Sequence, residues 1–291
     1  MAASAGARGA GQREGERIVG GLDGKVAVVL GASRGIGRGI AQELGAAGAT
    51  VYAAGRSLQA TPGHFGSLTE TTDWIAANGG TGIPVRCDAM VDADVAALFA
   101  RVEAEQGTVD VLVNSVFNSP EFGQSIGTRF WELPLDIWRD VFDVGTRTAY
   151  VASYYAAPLL LAAGKGALIV NVSGRAASRY RYNVAYGVGK AALDKMTRDM
   201  AHELEPEGIA VVSIWPNVTR TEHMDAARAA DPDALAELDT FETPRYSGRA
   251  VVALATDPDL MRRTGTSPWV AELAAAYGVV DEHGREHPLP E

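Results

Sequence analysis

Short apolar runs alternate along this chain with longer segments in which apolar residues return every three or four positions. The short runs are rich in Val, Ile and Ala and predict buried strands, whereas the longer period predicts helices with one apolar face. The first unit begins with a strand at 26–30. A helix follows that places Ile36, Ile40 and Leu44 on one face, and a second strand covers 49–54. This order of elements is one βαβ unit.

The same alternation continues through the rest of the chain. The spacing of Ser67 and Glu70 is that of a capping box, which predicts the start of a second helix. Further strands are predicted at 83–88, 109–115, 166–173 and 209–216, and further helices at 92–107, 134–164 and 184–208. Strands that alternate with helices predict an α/β fold, a doubly wound parallel sheet of the Rossmann type, as a single domain over residues 21–291.

Two segments bear on targeting and on membrane insertion. Residues 1–20 are rich in Gly, Ala and Arg and lack an apolar stretch of signal-peptide length, so they are predicted to be a flexible N-terminal tail. The longest nearly apolar run begins at Tyr150, but it is shorter than the roughly 20 residues of a membrane-spanning helix. It also contains Pro158 and several hydroxyl groups. We therefore expect a buried or interface helix and no membrane span.

Charge and cysteine content narrow the class of protein. The 26 basic and 36 acidic residues give a formal net charge of −10, and no basic stripe is present, so nucleic-acid binding is not expected. Cys87 is the single cysteine, which excludes an internal disulfide and a cysteine-based zinc cluster and agrees with a cytoplasmic location. His283 and His287 are four residues apart, but neighbouring Gly and Pro residues argue against a helical metal site, so no metal is expected.

A glycine-rich stretch, "GASRGIG", follows the first predicted strand and leads into a helix. Glycines at such a turn let the backbone approach a pyrophosphate closely, and free N–H groups at the helix start bind its charge. No Gly-Lys-Ser/Thr ends the stretch, which argues against a P-loop. The alternative is a plain turn packed between helix and strand. We predict dinucleotide binding, with contacts from Gly31, Ser33, Arg34, Gly35, Ile36 and Gly37.

Two arginines suggest which dinucleotide is bound. Sites for NAD usually place an acidic residue after the second strand, but here Gly55 and Arg56 follow it. Arg34 lies within the glycine-rich stretch. Two guanidinium groups could hold a 2′-phosphate through charge-assisted hydrogen bonds, so NADP(H) is favoured over NAD(H). The alternative is that both arginines are simply solvated.

Polar residues also end the next two predicted strands. Asp88 could accept a hydrogen bond from the adenine amine, and the Asn114 amide could contact the ribose next to the nicotinamide. Either residue could instead be a plain turn residue. Ligands of doubly wound sheets bind at the carboxyl ends of the strands, which favours the binding roles.

Tyr186 and Lys190 lie four residues apart at the start of a predicted helix, so their side chains share one face. A free tyrosine has a pKa near 10, and a nearby ammonium group favours the phenolate and lowers that pKa. Tyr180 and Tyr182 have no lysine at this spacing. The alternative is an ordinary Tyr and Lys on an exposed helix. Together with the glycine-rich stretch, the pair predicts acid–base chemistry beside a dinucleotide.

These motifs resemble those of the short-chain dehydrogenase/reductase family over residues 22–260. The three glycines match the cofactor loop, Asn114 matches the first Asn of the Asn-Asn-Ala-Gly strand end, and Tyr186 with Lys190 matches Tyr-x-x-x-Lys. The resemblance implies that Tyr186 is the general acid/base and that Lys190 holds the ribose and lowers the tyrosine pKa. It also implies a serine that orients the substrate carbonyl. Contacts to the cofactor are further implied for Pro216, Val218 and Thr221.

Several positions depart from the family pattern. Leu30 stands where Thr is usual, and Gly145 replaces the helix Asn that supports a proton-relay water, which puts the standard relay in doubt. The family often has two serines where this chain has Ser173 and Gly174, the second being catalytic. Ser173 precedes Tyr186 by 13 residues at a strand end, so we assign it the catalytic role, with Ser178 as the alternative.

The expected reaction is hydride transfer between NADP(H) and a carbonyl or alcohol substrate. Residues 115–137, with Phe117, Phe122, Phe130 and Trp131, and a helical lid at 217–247, with His223, Met224 and Phe241, are expected to form an apolar pocket. The substrate would then be an apolar ketone or aldehyde. These aromatic residues could equally be core or subunit contacts.

The resemblance also implies a homodimer or homotetramer that pairs through helices at 135–163 and 186–204. Two other functions stay open at this point. One is an NADP(H)-sensing protein that retains the fold but no longer turns over, which Leu30, Gly145 and Gly174 suggest. The other is an epimerase or dehydratase of the extended relatives, although the short C-terminal region leaves little room for a sugar-binding domain.

Overall fold

The computed structural model describes residues 21–61, 63, 65–117, 125–231 and 235–290, so the predicted tail at 1–20 lies outside the described residues. Six parallel strands form one sheet in the order β3-β2-β1-β4-β5-β6. The strands are β1 Val26–Leu30, β2 Thr50–Gly55, β3 Thr81–Arg86, β4 Val111–Asn114, β5 Leu168–Val172 and β6 Ala210–Ile214. The predicted doubly wound sheet is thereby confirmed.

Helices cover both faces of the sheet. They are α1 Gly35–Ala46, α2 Leu68–Ala77, α3 Asp92–Gln106, α4 (residues 136–163), α5 Val184–Leu204, α6 Glu222–Ala230, α7 Pro244–Ala255 and α8 Val270–Tyr277. Helix α4 begins with one turn at Asp136–Trp138, continues as a π-helix over Arg139–Arg147 and ends as an α-helix over Thr148–Ala163.

The core lies on both faces of the sheet. All of β1 is buried, with Val29 packed in the same cluster as Ile40 of α1, and Val28 packed with Leu98 of α3 on the opposite face. A strand buried on both faces has no polar side to show, which explains the uninterrupted apolar runs in the sequence. Strand β3 is at the sheet edge, and this position tolerates Pro84, which has no N–H to donate.

The strand order reverses between β1 and β4. The chain passes from β1 outward to β2 and β3 and then returns, so that β4 pairs with β1 and Leu30 lies opposite Asn114. A crevice opens outside the carboxyl ends of the strands where such a reversal occurs, and ligands of doubly wound sheets bind there. The fold therefore places the ligand site beside the glycine-rich turn that follows β1.

A buried polar network fixes α5 on the sheet. The Asn114 Nδ2 of β4 donates to the Asn171 Oδ1 of β5 at 2.9 Å, and the Asn171 Nδ2 donates to the Thr197 Oγ1 of α5 at 2.9 Å. Asp194 of α5 accepts from the Ser213 hydroxyl at 2.7 Å. Buried polar groups need such partners, and paired groups specify one arrangement. The network therefore sets where α5 carries its side chains.

The two ends of segment 217–247, which contains α6, lie close together. Thr219 and Glu242 pair as an isolated parallel bridge, and Glu242 Oε2 accepts from the Asn217 N–H at 3.0 Å. The other oxygen, Oε1, is buried without a hydrogen-bond partner among the described residues. Burial raises the pKa of Glu242 from 4.5 to about 7, and the Asn217 N–H opposes this rise. The base of this segment thus contains a carboxyl group that favours its protonated form.

Glu242→Gln is expected to stabilise the protein at pH 8. A carboxyl whose pKa is raised on folding favours the folded state when protonated, and this contribution is lost as pH rises from about 4.5 through about 7. Glutamine resembles the protonated acid in shape. We expect a rise in the unfolding temperature of a few degrees at pH 8, corresponding to roughly 1 kcal/mol or more, and a much smaller difference at pH 5.

Thermal unfolding at four pH values between 5 and 8 provides the measurement. Glu237→Gln removes the same charge from an exposed position nearby and should leave the pH dependence unchanged. An equal effect of Glu242→Gln at pH 5 and pH 8 would contradict the role of burial.

Candidate active site

One large cavity opens at the carboxyl ends of the strands, with a volume of about 730 Å³. It lies at the strand-order reversal between β1 and β4. Most of the residues that the sequence predicted for the site line it together: Gly31, Ser33, Arg34, Gly35, Ile36, Gly37, Arg56, Asp88, Ser173, Tyr186, Lys190, Pro216, Val218 and Thr221. The fold therefore brings the predicted cofactor and catalytic residues to one place.

Asn114 is not among the residues that line this cavity. It is 4% exposed, and its Nδ2 donates to the Ser153 hydroxyl at 3.2 Å as well as to Asn171. The predicted contact between this amide and the cofactor ribose therefore does not follow from the structure. A strand-end residue can point sideways into the sheet network, and the sequence does not show which way its side chain turns.

The turn after β1 packs directly against the end of β4. Gly31 has a left-handed φ of +84°, and a Cβ there would lie 2.4 Å from the Ser115 carbonyl oxygen. A Cβ on Gly37 would lie 2.4 Å from the Gly31 carbonyl oxygen. Side chains at these two positions would push the turn away from the sheet, so the glycines bring the start of α1 close to the cavity.

A carboxylate lies at the start of α1. The Gly35 N–H donates to Glu222 Oε2 at 2.8 Å, and Arg38 lies 3.5 Å from Glu222 Oε1. Glu222 comes from the first turn of α6, far away in sequence. Helix N-termini attract anions because their first N–H groups lack partners and the helix dipole is positive there. The chain's own acid thus shows that this turn accepts the kind of charge a pyrophosphate carries.

The end of β2 has the chemistry for a phosphate group. Arg34 donates to the Ser57 hydroxyl at 3.2 Å, and both residues line the cavity with Arg56. Neither arginine makes an ion pair with a carboxylate in the described part of the chain. Asp88 also lines this end, although its Oδ1 accepts from the Met90 N–H at 3.0 Å. The donor set fits a dinucleotide with a phosphorylated ribose. Ser57 was not among the cofactor-binding residues predicted from the sequence.

Tyr186 and Lys190 lie in the first two turns of α5. Asn183 caps the helix by accepting from the Tyr186 N–H at 2.9 Å, which fixes the tyrosine one turn from the helix start. Lys190 Nζ donates to the Val172 carbonyl oxygen at 2.9 Å and lies 5.7 Å from the centroid of the Tyr186 ring. The helical spacing and the cap together bring both side chains to the cavity wall.

The acid–base properties of the pair differ from the expectation. Burial raises the pKa of Tyr186, Tyr182 adds to this rise, and the positive charge of Arg181 opposes it. Burial also lowers the pKa of Lys190 to about 8, against the opposing charge of Asp194. The protein alone therefore does not lower the tyrosine pKa as predicted. Removing a phenolate from water raises its free energy by more than the nearby charges lower it.

The two serine candidates occupy different positions. Ser173 lines the cavity, but its hydroxyl donates to the Lys190 carbonyl oxygen at 3.3 Å. Ser178 is exposed and donates to the Arg175 carbonyl oxygen at 3.2 Å. A Cβ added at Gly174 would lie 3.9 Å from the Tyr186 hydroxyl oxygen. A side chain at position 174 would therefore stand beside the tyrosine hydroxyl, and Gly174 provides none.

Gly145 lies in the π-helical part of α4, and a Cβ there would meet nothing within 4 Å. A small cavity of about 10 Å³ is bounded by this glycine together with Phe117, Thr146 and Lys190. Single π-helical stretches often occur at functional sites. A cavity of this size is at the lower limit for one water molecule.

The aromatic wall is smaller than the sequence suggested. The Phe117 ring lies 5.8 Å from the Tyr186 ring, edge to face, and His223 and Met224 also line the cavity. Phe130 and Trp131 are 62% and 64% exposed and do not line it. Neither does Phe241, and Phe122 falls outside the described residues. Phe130 and Trp131 therefore belong to the protein surface and not to the cavity wall.

The described part of the chain contains no cluster of His, Cys, Asp and Glu residues that could hold a metal ion. Within the same residues, no helix has the length and apolar character needed to cross a bilayer.

Glu222→Gln is expected to tighten the binding of a dinucleotide. The pyrophosphate must share the start of α1 with this side chain, and a neutral amide competes less well than a carboxylate for the Gly35 N–H. A gain of about threefold to tenfold in affinity corresponds to the usual strength of a charge at a helix start. NADPH fluorescence titration would measure it.

Asp225→Asn is the matched control because it removes the same charge from an exposed position of α6, where Asp225 pairs with Arg220. The expectation fails if both variants change the dissociation constant equally, because the effect would then reflect overall charge.

Comparisons with known proteins agree with this geometry. A family model described as short chain dehydrogenase matches residues 25–232. Dehydrogenase/reductase SDR family member 1 of Mus musculus is 42% identical over 274 residues, which cover 91% of this chain and 85% of the mouse protein. A short-chain dehydrogenase/reductase structure from Burkholderia xenovorans has a TM-score of 0.72 at 28% identity, covering 86% of this chain and 96% of its own.

A further structure shares the fold at lower identity. L-Sorbose reductase from Gluconobacter frateurii, solved with NADPH and L-sorbose, has a TM-score of 0.73 at 22% identity, covering 93% of this chain and 99% of its own. The glycine-rich turn, the Tyr186–Lys190 pair and the extent of these matches lead to one conclusion. This chain belongs to the short-chain dehydrogenase/reductase family, in the branch of family member 1, and is an oxidoreductase of the kind that uses a nicotinamide cofactor.

Proposed function

We propose that this protein reduces aldehydes or ketones with NADPH. The observation that carries the proposal is that Tyr186 and Lys190 line the same cavity as the glycine-rich turn and the arginines at the end of β2. A carbonyl oxygen beside the tyrosine hydroxyl would then lie within reach of a nicotinamide held by the same cavity. Hydride transfer to the carbonyl carbon is the chemistry that the cofactor supplies when bound.

The preference for NADP(H) over NAD(H) rests on the end of β2. Arg34, Arg56 and Ser57 provide two positive charges and a hydroxyl, and Gly55 stands where an acid would bind ribose hydroxyls. A 2′-phosphate would gain charge-assisted hydrogen bonds from such a set, whereas an unmodified ribose would leave two guanidinium groups without an anion.

The raised pKa of Tyr186 favours the direction of reduction. A phenol that keeps its proton at neutral pH is ready to donate it to a carbonyl oxygen, whereas alcohol oxidation requires a phenolate. Lys190 would hold the cofactor ribose, as in the family. Because Gly145 offers no amide to hold a relay water, we propose that Tyr186 regains its proton through the open cavity or through a water in the small cavity beside Lys190.

We further propose a cytoplasmic homodimer or homotetramer. Helices α4 and α5 expose apolar side chains at the positions expected for subunit contacts. Tyr150, Tyr154 and Leu161 of α4 are 56%, 65% and 47% exposed, and Val184 and Val188 of α5 are exposed as well. A subunit interface formed by these two helices would bury apolar surface that a monomer leaves in water. Light scattering after gel filtration would measure the oligomeric state.

Two observations favour a sensing protein as the second candidate. Gly174 leaves the position facing the tyrosine hydroxyl without a side chain, and burial holds the Tyr186 proton in place. A protein that binds NADP(H) and changes its contacts without turnover would need neither group to act.

A panel of aldehydes and ketones with NADPH and with NADH tests the proposed function. We expect turnover with NADPH, and a loss of about 100-fold or more in kcat for Tyr186→Phe, because the variant removes the proton donor and little else. Arg34→Gln should weaken NADPH binding and leave NADH binding nearly unchanged. Absorbance at 340 nm provides the rates. A preference for NADH would contradict the arginine argument, and NADPH binding without turnover would favour sensing.

Gly174→Ser is expected to raise kcat/KM by about 10-fold. The new hydroxyl would stand beside the Tyr186 hydroxyl and could donate to the substrate oxygen, as an oxyanion donor does. Ser173→Ala should have a smaller effect, since the hydroxyl of Ser173 is bonded to the Lys190 carbonyl. If Ser173→Ala abolishes turnover while Gly174→Ser changes nothing, Ser173 is the catalytic serine after all.

A further inference from the structure

The charge of the large cavity is opposite to that of the chain. The protein has a formal net charge of −10, yet five cationic side chains and only two carboxylates belong to residues that line the cavity. One carboxylate, Glu222, already lies beside Arg38. Arg34 and Arg56 belong to the cofactor end, and Lys190 belongs to the catalytic pair. Two arginines, Arg175 and Arg181, remain without an assigned role.

Arg181 is linked to Tyr186 through the ring of Tyr182. Its guanidinium carbon is 4.8 Å from the centroid of the Tyr182 ring, and that ring is 5.3 Å from the ring of Tyr186. The charge of Arg181 is also the one that opposes the rise in the Tyr186 pKa. The guanidinium is therefore one aromatic ring away from the catalytic tyrosine.

The backbone at Tyr182 is strained. Its φ of +66° is left-handed, which is rare for a bulky residue and costs about 1 kcal/mol or more. Strain of this kind persists where the surroundings over-determine the conformation, and it often occurs at functional sites. Here it fixes the turn that carries Arg181 immediately before the Asn183 cap of α5.

Arg175 reaches the same end of the cavity from a second segment. It directly follows Gly174, whose added Cβ would lie 3.9 Å from the Tyr186 hydroxyl oxygen. Neither Arg175 nor Arg181 forms an ion pair with a carboxylate within the described ranges. Arg179 of the same loop is different, since it is exposed and does not line the cavity. Their position on the cavity wall thus distinguishes Arg175 and Arg181 from Arg179 of the same loop.

We propose that the substrate carries an anionic group, such as a carboxylate or phosphate, in addition to its carbonyl, and that Arg181 and Arg175 bind this group. The inference rests on the proposed carbonyl reduction and names its substrate class. Guanidinium groups bind planar oxyanions through paired hydrogen bonds, and they do so most strongly where water is partly excluded. Phe117 and Met224 provide apolar contacts for the rest of the molecule. The substrate is therefore amphiphilic, unlike the wholly apolar compound expected from the aromatic residues.

The experiment compares two aldehydes that differ in charge and otherwise only by one methyl group. 4-Formylbenzoate has a carboxylate across one ring from its aldehyde, and its methyl ester is neutral. With NADPH, the wild type should show a lower KM for the acid than for the ester. Arg181→Met and Arg175→Met should each raise the KM for the acid by roughly 10- to 100-fold, which is the usual value of a hydrogen-bonded charge. The KM for the ester should change little.

Arg179→Met is the matched control and should change neither KM. 4-Formylphenyl phosphate in the same assay shows whether phosphate is preferred to carboxylate. Equal KM values of acid and ester for the wild type would overturn the proposal, and so would equal losses on both substrates in the Arg181 variant. Because Arg181 also affects Tyr186, its effect on kcat is read separately from its effect on KM.

A binding measurement separates this proposal from the proposed function. If neither aldehyde is turned over, terephthalate, a dicarboxylate without a reactive carbonyl, is titrated calorimetrically into the protein saturated with NADP⁺. Binding that is lost in Arg181→Met and kept in Arg179→Met supports the anion site even though the reductase proposal has failed. Absence of binding to the wild type overturns the anion site.

Discussion

The buried hydrogen bonds from Asn114 through Asn171 to Thr197 connect two central strands to α5, and the arrangement of the site depends on them. Each group is buried, so losing one partner would leave another unsatisfied at a cost of about 1–3 kcal/mol. Such a network permits only one register of the helix on the sheet. Because Tyr186 and Lys190 lie on that helix, the network determines where these two side chains lie along the cavity wall.

Burial opposes the ionised forms of both Tyr186 and Lys190. It raises the pKa of Tyr186 and lowers that of Lys190 to about 8, so the protein alone favours a protonated phenol beside a less strongly basic amine. This arrangement suits proton donation and hence carbonyl reduction. Arg181 is the charge within the site that favours the phenolate left behind, and the same guanidinium is the group that we expect to bind an anionic substrate. Acid–base chemistry and substrate recognition are thereby joined in one short loop.

Segment 217–247 and the glycine-rich turn interact through charge. Glu222 of α6 reaches the first N–H of α1, and the Phe65 ring contacts the His223 ring at 5.0 Å next to it. The ends of the same segment are joined at Thr219 and Glu242. Any anion that displaces Glu222 must therefore alter a contact of α6, the helix that carries the cavity-lining residues His223 and Met224.

The sequence by itself determined the doubly wound sheet, the glycine-rich turn and the Tyr186–Lys190 pair, because apolar periodicity and helical spacing are local properties of the chain. It could not determine the direction of the Asn114 amide, or that position 174 lies beside the tyrosine hydroxyl, since both depend on how strands and helices meet. Only the tertiary structure brought Glu222 to α1 and placed the loop arginines on the wall of the same cavity as Tyr186. Contacts between residues distant in sequence depend on tertiary packing and leave no local pattern in the sequence. The same holds for the balance between burial and nearby charge that sets a pKa.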